Sequence, residues 1–244
     1  AFGTSMASLL SHNFQQVILK VRSQDVYDYL KTGENKVYLP GKKLASNIRP
    51  AKTWDEFQTL SKGKVDIVIS GLPTSALKEY CTQYGDVIGA LLEQGVPFVS
   101  LSKGIDPDTL ELPVDIFFEF FSKYKDQFCF LSGPTFANEI LDKQITLASL
   151  AGKSKITLDA VSTMLQTHYF KVLKTFDIKG VLLGGALKNI IAIAGGVIEG
   201  LGYNHNTRAA LITRATVEML RFGVIFNCRP ETFYGLSGMG DLIL

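Results

Sequence analysis

The sequence of 244 residues predicts an α/β fold, a doubly wound and largely parallel sheet, followed by an all-helical domain. Short β-rich runs alternate with helical patterns up to about residue 175, which is typical of βαβ units. The strand runs are apolar almost throughout, as expected for strands covered on both faces. After about residue 180 two long helical patterns follow, and no further strand is convincing. We therefore expect an α/β domain at 1–178 and a helical domain at 179–244.

Six segments are predicted as strands: VILKV (17–21), VDIVIS (65–70), PFVSL (97–101), FCFLS (128–132), ITLASL (145–150) and KVLKTF (171–176). Helical patterns such as TSALKEYCTQY and TLDAVSTMLQTHY lie between them. The opening AFGTSMASLL is predicted as a helix and looks like the second half of a first βαβ unit of a Rossmann-type domain. The long polar stretch 33–50, with two prolines, is expected to be a loop at the edge of this domain.

Charge and composition exclude several classes of partner. The chain has 25 basic and 23 acidic residues and shows no basic stripe with interleaved aromatic residues, so a nucleic-acid partner is not expected. Its three cysteines and three histidines are scattered without metal-ligand spacing, so no metal site is expected. An odd number of cysteines without a disulfide framework indicates a reducing compartment, and we expect a cytoplasmic protein.

One apolar run, 181–198, raises the question of a membrane span. Lys188 lies near its middle, and a lysine at the centre of a spanning helix costs about 3 kcal/mol. Four glycines in the same run also favour a helix packed within a protein. We therefore expect no membrane span.

Three predicted strand ends carry residues suited to ligand binding, because ligands of an open parallel sheet bind beyond the carboxyl ends of its strands. Pro73 and Thr74 follow VDIVIS and begin either an anion-binding helix or an ordinary turn. Lys103 follows PFVSL, and Gly104 allows close approach of the backbone to a ligand; a solvated lysine is the alternative. SGPTFANEI follows FCFLS and forms a tight polar turn before a helix.

Arg22 and Ser23 follow VILKV, where dinucleotide folds contact the adenosine ribose. An acidic residue at this position favours NAD, whereas an arginine accommodates the 2′-phosphate of NADP. Arg22 therefore leaves NADP open, and a surface arginine without such a role is the alternative. Gly3 alone does not establish a glycine-rich fingerprint, because the fingerprint needs a strand and two earlier glycines.

Lys188 is the most unusual residue of the apolar helix. It shares its face with Gly184, Ala192 and Gly195, so we expect a shallow groove that admits a ligand. A lysine that reaches out from a core helix is the alternative. Burial and a second cation both lower the pKa of a lysine, which permits the proton exchange that acid–base catalysis requires. Asp241, among glycines and aliphatic residues, is either a helix cap or a carboxylate that orients Lys188.

In order along the chain, six segments resemble the NAD(P)-dependent glycerol-3-phosphate dehydrogenases: AFGTSMA, LPTSAL, SKGID, SGPTFANEI, GGALKNIIAIAGGVIEGLGYNHNTRAALITRATVEM and GLSGMGDL. The resemblance implies interconversion of dihydroxyacetone phosphate and sn-glycerol 3-phosphate by hydride transfer with NAD, or with NADP. It places the protein in glycerol phosphate, carbohydrate and glycerophospholipid metabolism. It also implies a homodimer.

The resemblance further implies roles for individual residues. Lys188 matches the catalytic lysine, which takes the proton from the C2 hydroxyl or returns it to the carbonyl oxygen in reduction. Lys103 matches a second active-site lysine that touches substrate and cofactor, and Asp241 matches an active-site carboxylate. Substrate-binding positions are matched by Gly133, Thr135 and Asn189, and cofactor-binding positions by Ala1, Phe2, Gly3, Arg22, Tyr38, Pro73 and Ala137. We also expect Asn189, Asn206 and Arg208 to act as orienting groups.

The chain departs from the family pattern in three places. The first strand and its two glycines are expected before residue 1, and an arginine–asparagine pair that grips phosphate and cofactor would follow Leu244. Ser75 replaces a larger polar residue. We therefore expect an excerpt in which both domains are partial. Two other functions stay open: a related dehydrogenase acting on a hydroxy acid or sugar acid, and an NAD(H)-binding module without turnover.

Overall fold

The computed structural model describes residues 1–243. Its strands are β1 (Val17–Lys20), β2 (Glu34–Asn35), β3 (Leu39–Lys43), β4 (Ile48–Ala51), β5 (Val68–Ser70), β6 (Phe98–Ser100), β7 (Phe128–Ser132), β8 (Thr146–Gly152) and β9 (Phe170–Thr175). Its helices are α1 (Phe2–Leu10), α2 (Gln24–Lys31), α3 (Trp54–Ser61), α4 (Leu77–Glu93), α5 (Pro113–Phe120), α6 (Ala137–Leu141), α7 (Lys155–Leu165), α8 (Ile178–Gly200), α9 (His205–Ile225) and α10 (Pro230–Tyr234). Short 3₁₀ segments span Thr74–Ala76 and Ser122–Gln127, and a π-helical turn spans Leu236–Gly240.

Five strands form the main sheet, in the order β5-β6-β7-β8-β9. Strands β5, β6 and β7 are parallel, as are β8 and β9, whereas β7 and β8 are antiparallel. The prediction of a largely parallel sheet, followed by helices, is therefore confirmed. Because β5, β6 and β7 run the same way, their carboxyl ends meet at one edge. Strands β1 and β4 form a separate parallel pair.

The prediction that 33–50 is a loop was wrong. The stretch holds the antiparallel hairpin β2–β3 and most of β4. Leu39 and Ile48 are buried while the lysines between them point outward, so the apolar positions are too sparse to reveal strands. The hairpin is fixed to the first helix by a buried hydrogen bond, in which Asn35 Nδ2 donates to Thr4 Oγ1 at 2.8 Å.

Strand β7 separates two hydrophobic cores. Phe128 and Phe130 face one core, where they pack with Phe117 and other aromatic rings. Cys129 and Leu131 face the other, which includes Met6 of α1. All five residues of the strand are buried, so the continuous apolar run FCFLS reflects a strand covered on both faces.

Side-chain caps explain where several helices begin. Ser23, Thr53, Ser154 and Asp177 accept hydrogen bonds from backbone N–H groups in the first turns of α2, α3, α7 and α8. All three cysteines, Cys81, Cys129 and Cys228, are free and buried.

Helix α8 is long and apolar enough to cross a membrane by length and composition alone. Such helices are also common in the cores of proteins that do not span membranes. The first half of α8 is buried, with Val181, Leu182 and Leu183 in the same core as Phe128 and Phe130. Its second half is largely exposed.

Candidate active site

The turn after β6 carries Lys103 to the carboxyl edge of the sheet. Gly104 has a φ of 106°, a left-handed conformation that a residue with a side chain rarely adopts. Two hydrogen bonds hold this turn against the neighbouring turn after β5: Thr74 Oγ1 donates to the Lys103 carbonyl at 2.9 Å, and Ser102 Oγ donates to the Leu72 carbonyl at 2.7 Å. The backbone that carries Lys103 is therefore fixed.

Lys103, Lys188 and Asp241 form one ionic cluster. Lys103 Nζ lies 2.8 Å from Asp241 Oδ2 and donates a second hydrogen bond, of 3.0 Å, to the Gly133 carbonyl. Lys188 Nζ donates to the other carboxylate oxygen, Asp241 Oδ1. The Asp241 side chain is only 1% exposed, whereas the two lysine side chains are 23% and 20% exposed. A buried carboxylate thus joins the two lysines. A ligand can reach the lysines but not the carboxylate.

The electrostatics of the cluster favour a lysine that gives up its proton more readily than usual. Burial lowers the pKa of Lys103 below its ordinary value, and the positive charge of Lys188 lowers it further. The Asp241 carboxylate acts in the opposite direction and partly offsets both effects. A partly buried pair of ammonium groups of this kind can bind an anion and exchange a proton with it.

Two glycines bring α8 close enough to place Lys188 in the cluster. A side chain at Gly184 would overlap the Ser237 carbonyl of the π-helical turn. A Cβ at Gly185 would lie 2.7 Å from Ser132 Oγ at the end of β7 and 3.7 Å from the Lys103 side chain. The position of Gly184 on the face of Lys188 had suggested an open groove. Gly184 instead contacts the backbone of the π-helical turn, so it lines no open groove. Ala192, further along that face, is exposed.

Gly133 and Thr135 lie beside the cluster. Gly133 has a φ of 143°, and a Cβ there would lie 3.2 Å from Ala148 Cα, so the turn requires glycine. Thr135 Oγ1 donates to the Gly133 carbonyl at 3.1 Å, and the same carbonyl accepts the bond from Lys103. The SGPT turn thus supplies backbone to the ionic cluster.

The other predicted polar residues differ in position. Arg208 Nη2 donates to the Ile243 carbonyl at 3.3 Å, which ties α9 to the segment just after Asp241. Asn189 and Asn206 are exposed, and neither forms a side-chain hydrogen bond within 1–243. The structure therefore does not bring these two amides into the cluster.

A cavity of about 400 Å³ lies between α1 and the facing edges of β1 and β5. Four of the predicted cofactor-binding residues line it, namely Ala1, Gly3, Arg22 and Tyr38. Phe2, Pro73, Lys103 and Ala137 do not line it, although the Ala137 carbonyl accepts a 2.8 Å hydrogen bond from Ser5 of α1.

The walls of this cavity fit a dinucleotide. The first turn of α1 has no side-chain cap, so its backbone N–H groups are available to a phosphate. Nothing lies within 4 Å of where a Cβ at Gly3 would be, and a Cβ at Gly71 would lie 3.5 Å from Gly3 Cα. Backbone can therefore approach a ligand closely at this point, and Arg22 supplies a positive charge at the end of β1.

Lys20 lines the same cavity and was missed in the sequence. Its Nζ lies 5.1 Å from the centre of the Trp54 ring and 5.5 Å from that of Tyr84. Burial and the nearby Arg22 lower the pKa of Lys20. A lysine inside an apolar strand is the same signal that singled out Lys188, and it could have been used here.

A doubly wound sheet, a cavity beside its first helix and the ionic cluster at its carboxyl edge define a dinucleotide-dependent dehydrogenase. Residues 1–157 match the N-terminal model of NAD-dependent glycerol-3-phosphate dehydrogenase, and residues 177–244 match the C-terminal model. The chain is 38% identical to glycerol-3-phosphate dehydrogenase [NAD(P)+] of Leptospira biflexa and 37% identical to that of Staphylococcus aureus, over the whole chain and 72% of each relative.

Solved structures agree. The crystal structure of glycerol-3-phosphate dehydrogenase from Coxiella burnetii superposes with a TM-score of 0.85 at 30% identity, over 100% of this chain and 72% of that one. The enzyme from Saccharomyces cerevisiae, at 24% identity and a TM-score of 0.79 over 99% of this chain and 73% of that one, shares the fold. This chain belongs to the NAD-dependent glycerol-3-phosphate dehydrogenase family.

Proposed function

We propose that this protein reduces dihydroxyacetone phosphate to sn-glycerol 3-phosphate, and catalyses the reverse oxidation, with NAD(H) or NADP(H). The observation that carries the proposal is the family match over both parts of the chain, together with the cluster of Lys103, Asp241 and Lys188 at the carboxyl edge of the sheet. A related dehydrogenase for hydroxy acids or sugar acids and a binding module without turnover are not favoured.

In this proposal Lys188 moves the proton. During reduction its Nζ donates a proton to the C2 carbonyl oxygen, and during oxidation it takes the proton from the C2 hydroxyl. Residues lining the cavity beside α1 would hold the nicotinamide cofactor, which would provide the chemistry of hydride transfer. In its protonated form, Lys103 stabilises the negative charge that develops on the substrate oxygen. Asp241 holds both ammonium groups in place, because each lysine uses a different oxygen of its carboxylate.

The cofactor would be held by the cavity beside α1. The open N–H groups of the first turn of α1 would receive the phosphates, and Tyr38 and Arg22 would flank the nucleoside. Arg22 would tolerate the 2′-phosphate of NADP. The orienting roles predicted for Asn189 and Asn206 also stay proposals; both side chains are exposed and so accessible to a ligand.

The test is the loss of absorbance of the reduced nicotinamide in the presence of dihydroxyacetone phosphate, with NADH and NADPH compared in the full-length protein. Turnover that disappears in Lys188→Ala would support both the reaction and the role of Lys188. A folded protein that binds cofactor but turns over a hydroxy acid instead would contradict the substrate assignment.

A homodimer in the cytoplasm stays a prediction: the dimer rests on the resemblance of the sequence, and the compartment rests on its cysteines. Light scattering coupled to size exclusion would test the oligomeric state. A mass of one chain at concentrations at which the enzyme is active would contradict the dimer.

A further inference from the structure

The carboxylate of Asp177 joins the helix that carries Lys188 to the segment that carries Asp241. Its Oδ1 accepts a 3.0 Å hydrogen bond from the backbone N–H of Gly180 in the first turn of α8. Its Oδ2 accepts two bonds from the start of α10, 2.8 Å from the Arg229 N–H and 2.6 Å from Thr232 Oγ1. One side chain therefore holds the beginnings of two elements that lie more than 50 residues apart in sequence.

The local sequence is built around this carboxylate. A Cβ at Gly180 would overlap Asp177 and would lie 2.7 Å from its Cγ, so only glycine leaves room for the side chain over the helix end. The Asp177 backbone N–H donates to Thr175 Oγ1 at 3.2 Å, which fixes its approach from β9. A negative charge at a helix N-terminus is also favourable.

Close packing connects α10 to the turn that precedes Asp241. Phe233 of α10 is 1% exposed, and its ring lies so close to Gly223 of α9 that no side chain fits there. The Phe233 carbonyl packs equally closely against Gly238 of the π-helical turn, and Asp241 follows that turn directly. The path from Thr232 to Asp241 is nine positions long, and Phe233, Ser237, Gly238 and Asp241 along it are buried.

We propose that Asp177 is a positioning residue for the reaction: by holding the start of α10 against the start of α8, it sets where the Asp241 carboxylate meets Lys188. The expected effect on kcat rests on the proposed function. The expected effect on the ion pair of Lys188 and Asp241 does not. Lys188 lies 11 positions beyond Asp177, on the helix that Asp177 caps. The Asp177 carboxylate therefore contacts both the helix that carries Lys188 and the helix that leads to its partner Asp241.

A simple helix cap is the competing explanation, and asparagine separates the two. Asparagine caps helices as well as aspartate does, so Asp177→Asn retains an acceptor for Gly180. Its amide NH₂ is only a donor, so the Arg229 N–H loses its acceptor. Thr232→Val removes the remaining bond from the side of α10. The double variant therefore keeps the cap and breaks every polar contact of Asp177 with α10.

Steady-state kinetics in the full-length protein give the first readout. We expect kcat with dihydroxyacetone phosphate to fall about tenfold in the double variant, with the KM for NADH unchanged, because small misplacements of catalytic groups reduce the rate more than binding. Asp159→Asn, which removes a carboxylate that bridges Lys155 and Lys174 on the surface, is the matched control and should keep the wild-type kcat. A wild-type kcat in the double variant would overturn the proposal.

Competitive acetylation of lysines, read by mass spectrometry, gives a second readout that needs no turnover. We expect the labelling of Lys188 relative to exposed Lys171 to rise about threefold or more in the double variant, because an ion pair that is no longer held opens more often. An unchanged ratio would overturn the proposal even if the wild type proved inactive on dihydroxyacetone phosphate, an outcome that would refute only the proposed function. If the double variant does not fold, the labelling of Lys188 relative to Lys171 is measured in Thr232→Val instead, and the same two outcomes support or overturn the proposal.

Discussion

The backbone carbonyl of Ser237 lies directly against the α-carbon of Gly184, with no room for a side chain between them. This contact joins the π-helical turn to α8 one helical turn before Lys188. On the far side of the turn stands Asp241, which receives the Lys188 ammonium. The close approach of two backbones thus sets the depth at which the lysine enters the site.

Gly184→Ala is expected to lower the free energy of unfolding by about 1–3 kcal/mol, because its methyl group forces the turn away from the helix. The same displacement should reduce kcat. Gly196→Ala on the same helix is the control: nothing lies within 4 Å of its Cβ position, and alanine should stabilise the helix by about 0.5–1 kcal/mol. Urea unfolding of both variants measures the difference. Equal effects of the two substitutions would show that the contact with Ser237 is unimportant.

Lys188→Ala is expected to reduce kcat about 10²- to 10⁴-fold, the usual contribution of a positioned proton donor. Single-turnover oxidation of NADH by dihydroxyacetone phosphate measures the chemical step directly. Lys179→Ala provides a control on the same helix, since Lys179 lies 3.6 Å from Asp115 in a half-exposed pair away from the cluster. A loss of similar size in both variants would point to damage to the helix rather than to lost proton transfer.

Asp241→Asn is expected to lower kcat/KM about tenfold or more, because it removes the charge that holds both lysines. It should also move the alkaline limb of the pH profile to lower pH. The carboxylate is the influence that raises the pKa of Lys103; without it, only burial and the Lys188 charge act, and both lower that pKa. Lys103 then loses its proton at lower pH. An alkaline limb that stays at the wild-type pH would show that it reports the titration of a group other than Lys103.

Arg22→Ala is expected to raise the KM for NADPH about tenfold, as for a lost charge-assisted hydrogen bond worth about 1.5 kcal/mol, and to leave the KM for NADH nearly unchanged. Steady-state titrations with the two cofactors give the ratio. Arg49→Ala changes an arginine of β4 that does not line the cavity and serves as the control. Parallel changes for NADH and NADPH would rule out contact of Arg22 with a 2′-phosphate.

The sequence predicted the parts of the fold that depend on local pattern. FCFLS became β7 with unchanged bounds because every residue of it is buried. The hairpin and β4 were missed because their strands are short, carry lysines and prolines, and bury few residues. The apolar pattern is clearest where a strand is covered on both faces, as β7 is.

The site divides in the same way. Lys103 could be found from its place at a strand end, and Lys188 from its place in an apolar helix. The contacts that join them to Asp241 span 138 and 53 residues, and sequence alone left open whether Asp241 caps a helix or orients a lysine. The bonds of Asp177 to α10 were not expected at all. They depend on how α8 and α10 pack, which no short motif records.

The three buried cysteines can report which part of the protein unfolds first. Burial raises the pKa of Cys81 and Cys129 to about 12 and that of Cys228, which is also close to Asp177, to about 11. Only the thiolate reacts with alkylating reagents, so in the native state all three should be nearly inert. Cys228 stands between α9 and α10, whereas Cys129 lies in the middle of the sheet. The order in which iodoacetamide modifies them would therefore separate fraying at the α9–α10 junction from collapse of the whole domain.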